Sequence, residues 1–533
     1  MNQLIKNKYY LYATEFFAGM SVMAVELGAS RLLAPYFSSS QIVWTIIIGT
    51  IMIAMALGNI YGGKSADKDP DPKRLYGRIA IAGIWIALIP LLGKYVILGV
   101  AGLLIVTISN GFLIVAAFIA CMVIFVFPLF LLGTVTPSRA RFTMNSVDDS
   151  GKIVGTLGAY NTIGSIIGTF LPTFVTIPSV GTSVTFLIFA AILLLLSIRY
   201  FISTKQKSIK CIVGVIILII CTIFGAKDSF AFWEDNLLYE GESVYNYLQV
   251  REDEESVILS TNVLFGVQSI LMKDAQLTGM YYDYAMAAPL MADVQNKEDP
   301  KMLVLGMGTG TYAKQCRTYF PNMRTTGVEI DEKITALAGK YFELPNDIPV
   351  VTYDGRAYLN ADQDKYDVIL VDAYQDITIP FQMSGVEFFE LVRDHLTEDG
   401  VMVVNMNMQT DEPDNICDYL EDTIASVFPN VYTIDVARNT NCELFASMDP
   451  NMLKTYESAL EGMEENALKD FLNAVSGNLV AYEAGDLILT DDKAPVELLG
   501  IQVIDSIIQR EVAYYKDAYK EQGFDLFFNG SML

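Results

Sequence analysis

The chain of 533 residues has little histidine and cysteine and no motif that joins them into a metal site. Its one histidine, His395, lies in the helical pattern "EFFELVRDHL" and is predicted to be structural, so we do not expect a histidine-centred metal site. The six cysteines form no Cys-x-x-Cys pair and are interpreted as reduced packing residues. We therefore expect no metal cofactor.

Positive charge is also scarce, above all in the second half of the chain. The net charge is −25, and Asp and Glu crowd the second half while basic residues sit in short loops of the first. Binding of nucleic acid needs clusters of Lys and Arg, so we expect no nucleic-acid partner. An acidic soluble part would attract a cationic substrate over long range, although solubility alone also explains the charge.

Long apolar runs, in contrast, fill the first half. A helix needs about twenty apolar residues to cross the hydrocarbon core of a bilayer. The candidates are Tyr9–Leu33, Gln41–Gly63, Ile79–Ile108, Gly111–Val135, Gly155–Ile177, Gly181–Phe201 and Cys211–Gly225. Since Ile79–Ile108 could form one long or two short crossings, we predict an all-α multi-pass membrane domain of about 7 to 8 helices in the lipid bilayer.

The basic loops bear on orientation, because they favour the cytoplasmic face. If Ile79–Ile108 crosses once, all basic loops can stay inside and the C-terminal part lies outside. Two crossings return that part to the cytoplasm but move two basic loops out. We favour the cytoplasm for the soluble domain of this cell-membrane protein, because the nucleotide inferred below is an intracellular metabolite.

Polar and small residues interrupt the apolar runs at particular places. Glu15 and Glu26 are costly in lipid and are expected to face a partner or a polar cavity, in a transport, proton-transfer or packing role. Small residues recur in "GAYNTIGSIIGTF" (158–170), which predicts a tight contact between helices.

The second half has the pattern of an α/β fold. Alternation with a two-residue period from Ser243 to Met272 predicts a small antiparallel β-sheet. From Lys301, strands alternate with helices, which predicts a Rossmann-like, methyltransferase-type domain with a parallel sheet. The predicted domains are a membrane domain (1–227), a linker with a small β-strand subdomain (228–290), a Rossmann-like domain (291–448) and a helical C-terminal extension (449–533).

A glycine-rich loop after the first strand of this domain predicts a nucleotide site. Gly306, Gly308 and Gly310 follow the strand and open a helix, where backbone N–H groups can approach a ligand. Glu329 ends the next strand, where a carboxylate can accept hydrogen bonds from ribose hydroxyls. The alternative is a tight turn with a purely structural purpose.

Two further acids end strands in the same domain. Asp354 begins "DGRAYL" and Asp372 ends "YDVILVD". Ligands of an open parallel sheet bind outside the carboxyl ends of its strands, so both acids are expected to converge with Glu329 on one crevice.

Motifs along the whole chain resemble one family. The segments "YNYLQV", "GVQS", "YYDYAMAAPL", "GMGTG", "VEID", "DGRAYL" and "VDAYQDITIP" are similar, in this order, to the spermidine synthases, which are polyamine aminopropyltransferases. The segments "GASRLLAPYF", "GNIYGGKSAD", "TPSRAR", "NTIGSIIGTFLP" and "LTDDKAPVE" resemble the membrane-fused branch of that family, whose front half is transporter-like.

The resemblance implies an activity: transfer of an aminopropyl group from decarboxylated S-adenosylmethionine to a polyamine such as putrescine, with release of methylthioadenosine. It implies that Asp372 takes the proton from the attacking amine and that Glu329 holds the ribose. The remaining implied nucleotide-binding residues are Gly306, Gly308, Thr309, Gly310, Asp354, Gly355 and Asn246. The implied substrate-binding residues are Tyr281, Tyr282, Asp283, Gln268 and Tyr374.

Several positions depart from the family pattern. Thr309 stands where the family has an aspartate that binds the amine of the donor, and Asn246 stands where it has a glutamine. The donor could therefore be S-adenosylmethionine instead, in a methyltransferase; a third alternative is a non-enzymatic polyamine transporter or sensor. The expected partners are a small cationic polyamine, the lipid bilayer and, as one possible assembly, a second copy of the chain.

Overall fold

The computed structural model describes residues 8–37, 40–105, 112–143, 150–226, 229–263, 266–275, 277–374, 379–407, 410, 412–437 and 439–503. They divide into a first unit, Met1–Asp235 with Gly241–Tyr247, and a second unit, Asn236–Glu240 with Leu248–Leu533. Each unit is described by itself.

The first unit consists of helices. They are α1 (Lys8–Phe37), α2 (Gln41–Lys68), α3 (Pro72–Ile105), α4 (Phe112–Gly133), α5 (Val135–Thr143), α6 (Ser150–Leu171), α7 (Ile177–Ser203) and α8 (Ile209–Gly225), with a π-helical turn at Pro172–Thr176. Within the described residues, five helical segments are long and apolar enough to cross a membrane: Tyr9–Phe37, Gln41–Lys68, Pro72–Leu104, Phe112–Thr143 and Gly151–Ser203. The last of these contains both α6 and α7, while α8 is a shorter apolar helix.

The described part of Ile79–Ile108, which was predicted to cross the membrane once or twice, lies in one helix. α3 continues through Pro90 for 34 residues. At a rise of about 1.5 Å per residue it is about 51 Å long, more than the roughly 30 Å of a hydrocarbon core. The alternative of two short crossings in Ile79–Ile108 is therefore wrong for the described part of that segment, and its last residues lie outside the description.

Small residues bring α1 and α6 together, as the sequence predicts. A side chain at Gly19 would collide with the backbone of Asn161, and one at Gly164 would collide with the backbone of Phe16. The predicted tight helix contact is thus confirmed. Beside this contact, Glu15 is completely buried, and Thr136 of α5 donates a hydrogen bond to its Oε2 at 2.9 Å.

A small sheet begins the second half of the chain. Its strands, in the order β1-β2-β3-β4, are β1 (Leu237–Glu242), β2 (Tyr247–Glu252), β3 (Ser256–Ser260) and β4 (Ser269–Met272). The pairs β2–β3 and β3–β4 are antiparallel, which confirms the predicted small antiparallel sheet.

The large sheet of the second unit is mixed. Its strands are β5 (Lys301–Leu305), β6 (Arg324–Glu329), β7 (Val350–Thr352), β8 (Tyr366–Val371), β9 (Leu396–Met406), β10 (Asn430–Asp435), β11 (Cys442–Ser447) and β12 (Val480–Ala481). The order is β12-β10-β11-β9-β8-β5-β6-β7. The pairs from β9 to β7 are parallel, and β11, β10 and β12 are added antiparallel.

Helices cover this sheet and supply two buried layers. They are α9 (Tyr281–Ala285), α10 (Ala287–Met291), α11 (Thr311–Tyr319), α12 (Glu332–Tyr341), α13 (Gly355–Ala361), α14 (Val386–His395), α15 (Ile416–Ala425), α16 (Met452–Gly462) and α17 (Ala467–Ser476). Alternate strand residues belong to opposite layers: Val403 lies in the same buried cluster as Tyr281, whereas Val404 lies in the cluster that contains Phe388. This alternation decides which polar side chains share the face of Tyr281.

Histidine and cysteine, which are scarce in this sequence, have structural positions. Both ring nitrogens of His395 lie at hydrogen-bond distance from backbone carbonyl oxygens, 2.8 Å from Leu391 and 3.2 Å from Asp362. All six cysteines are free and buried, as predicted for reduced packing residues.

Candidate active site

The glycine loop lies where β5 ends. Gly306, Gly308 and Gly310 all have positive φ, at 87°, 54° and 84°. The N–H groups of Gly306 and Met307 both donate to the carbonyl of Val328, so the loop is fixed to β6. The loop then opens α11, as the sequence predicts for a nucleotide-binding strand–loop–helix.

Gly306 is glycine for a packing reason as well as a conformational one. A Cβ at this position would collide with the backbone carbonyl of Asp372. The loop of β5 and the end of β8 are therefore in direct contact, and a shift of one moves the other.

Glu329 closes the loop from the end of β6. Its Oε2 accepts a hydrogen bond from the N–H of Gly308 at 2.9 Å, and its Oε1 accepts one from the N–H of Asp331 at 3.0 Å. Burial raises the pKa of Glu329 to about 7, although these backbone donors act in the opposite direction. Because each oxygen takes one of these donors, the carboxylate keeps acceptor capacity for a further hydrogen bond. The predicted role of Glu329 at the ribose stays a prediction.

Asp354 follows β7 and caps α13. Its Oδ1 accepts a hydrogen bond from the N–H of Ala357 at 2.8 Å. Gly355 begins the helix, and a Cβ there would lie 3.2 Å from the methyl carbon of Met383. These contacts hold the segment predicted to face the adenine.

Thr309, at the departure from the family pattern, points into protein. It is 1% exposed, and its N–H donates to Oγ of Ser269 at 3.0 Å. Its hydroxyl has no hydrogen-bond partner among the described residues.

Asp372 is held at the end of β8 by two side chains. Tyr281 donates to its Oδ2 at 2.9 Å, and Nδ2 of Asn405 donates to its Oδ1 at 2.8 Å. Asn405 is oriented in turn, because Nδ2 of Asn441 donates to its Oδ1 at 2.7 Å. Part of Asp372 remains open to solvent, yet desolvation by the surrounding protein raises its pKa to about 7, with a smaller contribution from the charge of Glu329.

The tyrosines of α9 form one wall. The ring centroids of Tyr281 and Tyr282 are 4.0 Å apart, and the hydroxyl of Tyr282 donates to the carbonyl of Gln268 at 2.9 Å. Only Tyr281 of this pair contacts Asp372 by a hydrogen bond among those described. Burial raises the pKa of Tyr281 well above its usual value, so it acts as a donor.

Other predicted substrate-binding residues have their polar groups bonded within the protein. The carboxylate of Asp283 accepts hydrogen bonds from Thr278, Gly279 and Gln315, and it is buried. The hydroxyl of Tyr374 donates to the carbonyl of Met383 at 2.9 Å. Their role toward a substrate stays a prediction.

Asn246 belongs to the first unit. Its N–H donates to Oγ of Ser243 at 2.8 Å, in the turn between β1 and β2. Its predicted role at the nucleotide likewise stays a prediction.

The sequence predictions missed Asn405 and Ser269. Asn405 is a polar residue near the end of the buried strand "GVMVVNM", the same signal that identified Asp372. Ser269 gave no comparable signal, because its contact with the glycine loop depends on how β4 packs beside α11.

The parallel strands β9 to β7, the glycine loop after β5 and the acids at the ends of β6 and β8 are typical of the Rossmann-like class of nucleotide-binding folds. A model of the spermine/spermidine synthase domain matches residues 280–441. A "Probable polyamine aminopropyl transferase" from Bifidobacterium longum is 52% identical over 352 residues, which cover 61% of this chain and 76% of that relative. The chain belongs to the polyamine aminopropyltransferase family, and its helical first unit fits a membrane-fused variant.

Other relatives and solved structures are similar at lower identity. The polyamine aminopropyltransferase of Vibrio vulnificus is 26% identical over 303 residues, or 54% of this chain and 99% of that relative. A crystal structure of a probable spermidine synthase from Corynebacterium glutamicum shares 21% identity, with a TM-score of 0.36 over 46% of this chain and 96% of that structure.

Proposed function

We propose that the protein is a transferase that moves an aminopropyl group from decarboxylated S-adenosylmethionine to a small polyamine such as putrescine, releasing methylthioadenosine. The observation that carries the proposal is the position of Asp372, held by Tyr281 and Asn405 beside the glycine loop. The family to which the chain belongs supports the same reaction.

The chemistry required is a displacement by an amine. The amine nitrogen attacks the aminopropyl carbon bonded to sulfur, the C–S bond breaks, and the electron pair leaves with methylthioadenosine. An ammonium has no free lone pair, so a carboxylate must take its proton first or as the new bond forms. Asp372 has the type, the position and the raised pKa of such a base.

The adenosine would lie along the other strand ends. The N–H groups of the glycine loop and the helix that it opens would face the nucleotide, as in other strand–loop–helix sites. Glu329 retains acceptor capacity for the ribose, and Asp354 and Gly355 would line the adenine. Placing both substrates on one rigid sheet edge supplies much of the rate by proximity.

We further propose that the first unit anchors the enzyme in the cell membrane. The five long apolar helical segments support this. A metal has no role in the proposed reaction.

A second candidate is methyl transfer from S-adenosylmethionine. Thr309 favours it, because this position carries no carboxylate for the amine of a decarboxylated donor. The purified full-length protein in detergent separates the candidates when calorimetry compares the two donors and methylthioadenosine as ligands. Mass analysis of the product then distinguishes an added aminopropyl group from an added methyl group. Binding without either product would favour a sensor and overturn the proposal.

A further inference from the structure

The segment "LTDDKAPVE" (489–497) contains a motif that the proposed reaction has not used. Its first residue is bonded to two helices of the second unit. The N–H of Leu489 donates to Oγ1 of Thr423 on α15 at 2.9 Å, and its carbonyl accepts a hydrogen bond from the N–H of Val386 on α14 at 3.0 Å. The side chain of Leu489 is completely buried. The segment is therefore anchored in the domain, although it is distant from Asp372 in the sequence.

Asp491 is held in place from the start of α14. Its N–H donates to Oε2 of Glu387 at 3.0 Å. A Cβ at Gly385 would lie 3.0 Å from the carbonyl carbon of Thr490 and 3.1 Å from the nitrogen of Asp491, so the two backbones approach closely. These contacts give the carboxylate of Asp491 a defined position.

Arg356, at the start of α13, joins Asp491 to a third segment. Its Nη1 and Nη2 donate to Oδ1 and Oδ2 of Asp491, each at 2.6 Å, and Nη1 also donates to the backbone carbonyl of Gln382 at 2.9 Å. The side chain of Arg356 is 20% exposed. Isolated pairs at the surface often contribute nothing measurable, whereas a bidentate guanidinium–carboxylate pair also fixes geometry. The planar fork of arginine allows all three hydrogen bonds at once.

The segment that Arg356 contacts lies beside the proposed nucleotide site. It is a 3₁₀ turn, Phe381–Met383. The methyl carbon of Met383 would lie 3.2 Å from a Cβ at Gly355, which would also contact Leu305 at the end of β5. The hydroxyl of Tyr374, which follows the proposed base, donates to the carbonyl of Met383 at 2.9 Å. The turn therefore contacts both the segment proposed to face the adenine and the segment after the base.

We propose that the ion pair of Arg356 and Asp491 positions the turn Phe381–Met383 as one wall of the nucleotide site. Both are positioning residues, because they act through the turn. A turn that is already ordered lowers the entropic cost of binding a nucleotide. Asp372 has its own donors in Tyr281 and Asn405, so the pair should govern the affinity for the donor substrate and not the chemical step. This inference rests on the proposed function, because it adds residues to the same site.

The test uses the full-length protein in detergent, with decarboxylated S-adenosylmethionine as donor and putrescine as acceptor. Asp491→Asn keeps the size of the side chain and removes its charge. It should raise KM for the donor and Kd for methylthioadenosine about 10-fold, the scale of a lost charged hydrogen bond, and change kcat less than about threefold. In the ligand-free protein, hydrogen exchange of residues 379–386 should become faster.

Variants of Arg356 provide a second test of the same role. Arg356→Lys keeps the charge but lacks the fork, so its KM should lie between those of the wild type and Arg356→Gln. If Asp491 acts through Arg356, adding Asp491→Asn to Arg356→Gln should change KM little further. Arg356→Lys is the milder change and decides the inference if Asp491→Asn fails to fold.

Asp299→Asn is the matched control. It breaks an ion pair of the same N–O distance, 2.6 Å, with Arg324 at the start of β6. This variant should keep the KM, the kcat and the hydrogen exchange of residues 379–386. Additive effects in the double variant, an unchanged KM in folded Asp491→Asn, or a fall in kcat alone would overturn the inference.

Failure of the proposed function gives a different pattern. The wild-type protein then transfers no aminopropyl group, and calorimetry with methylthioadenosine and S-adenosylmethionine replaces the kinetics. Binding that Asp491→Asn weakens about 10-fold and Asp299→Asn leaves unchanged supports the positioning role without any transfer. Equal binding by the wild type and Asp491→Asn, or no binding by the wild type, overturns it.

Discussion

Asp372 is a single residue whose chemistry depends on its two donors. Tyr281 and Asn405 each occupy one lone pair of the carboxylate, which fixes its plane and leaves the outer lone pairs for an amine. The substitution Asp372→Asn keeps this shape but removes the charge and the basic site. Turnover should fall about 100-fold or more, the usual contribution of a general base. Steady-state kinetics on the full-length protein measures this.

Methylthioadenosine affinity is the control for that variant and should stay within a few-fold, since the proposed adenosine contacts lie on Glu329 and Asp354. A structural role for Asp372 would instead lower the melting temperature and leave turnover per folded molecule nearly normal. Equal loss of nucleotide affinity and turnover would make Asp372 a nucleotide ligand.

The pH dependence of the rate follows from the same residue. The pKa of Asp372 is raised to about 7, and only the carboxylate accepts a proton, so kcat/KM should rise with pH through that value. A bound ammonium nearby favours the ionised form, so the rise in kcat should occur at lower pH than the rise in kcat/KM. Rates measured from about pH 5.5 to pH 9 test both statements. Glu421→Gln, whose native carboxyl also has a pKa raised to about 7, should keep both profiles, whereas a flat kcat/KM across the range would contradict the assignment.

Glu329 is predicted to hold the ribose, and its removal is expected to weaken nucleotide binding. Glu329→Ala should reduce the binding free energy of methylthioadenosine by about 1–3 kcal/mol, the scale of a lost charged hydrogen bond. Glu332→Ala, an exposed acid in the first turn of α12, serves as the control in the same calorimetric titration. Unchanged affinity in a folded Glu329→Ala protein would remove the ribose assignment.

At the scale of elements, the alternation of strand and helix patterns and the acids at strand ends predicted the parallel part of the sheet well. The alternation of strands and helices predicted from Lys301 is observed, and Glu329 and Asp372 lie at the ends of β6 and β8 as predicted. β12 was not predicted, because Val480 and Ala481 are only two exposed residues whose pairing depends on β10. The burial of Glu443 on β11 was not predicted either. In "CELFAS" an acid between apolar residues is typical of the solvent side of an edge strand, yet Glu443 is buried, and α9, which is distant in sequence, packs against β11.

The contact between the glycine loop and the end of β8 leads to a prediction that involves both elements. Gly306→Ala would force a Cβ against the carbonyl of Asp372 at a φ of 87°. Relief of that collision displaces both loop and base, and a displacement of 1 Å costs about 100-fold in rate. We expect turnover and methylthioadenosine affinity to fall together, measured by kinetics and calorimetry.

Gly339→Ala is the matched control, because a Cβ at Gly339 meets nothing within 4 Å. Loss of activity in both variants would point to a general sensitivity of the fold. Normal turnover in folded Gly306→Ala would show that the loop and the base move independently.

At the scale of the whole molecule, the single helix α3 bears on membrane orientation. Basic residues at the start of α3 and in α5 lie close to the C-terminal end of α2, where Arg78 contacts Ser65 and Arg141 pairs with Asp67. The chain leaves the bundle near the other end of α3, where Lys94 donates to the carbonyl of Ser229 at 2.7 Å. With a single crossing by α3, all basic loops can stay inside only if the C-terminal domain lies outside, so the expected cytoplasmic location of that domain conflicts with the positive-inside rule.

Cysteine labelling tests the orientation. The positive-inside rule predicts that the cysteine of Gln206→Cys, at the basic end, is protected from an impermeant thiol reagent in intact cells, and that the cysteine of Asp235→Cys is labelled. Both substituted positions are exposed. The six native cysteines are buried, so the native cysteines should give little background labelling. The reverse pattern would place residue 235 in the cytoplasm with the supply of donor. Labelling of Asp235→Cys would require the donor to reach the outer face.

The hydrogen-bonded side chains of Asp372, Asn405 and Asn441 lie at β8, β9 and the start of β11, whereas the glycine loop and Glu329 belong to β5 and β6. A lineage that changes its acceptor amine can therefore substitute residues beside Asp372 and leave the residues proposed to hold adenosine as they are. Selection on acceptor choice and selection on nucleotide binding then act on different residues. Among related enzymes that use different amines, we expect residues around Asp372 to vary, while Gly306, which contacts β6 and the end of β8, stays glycine.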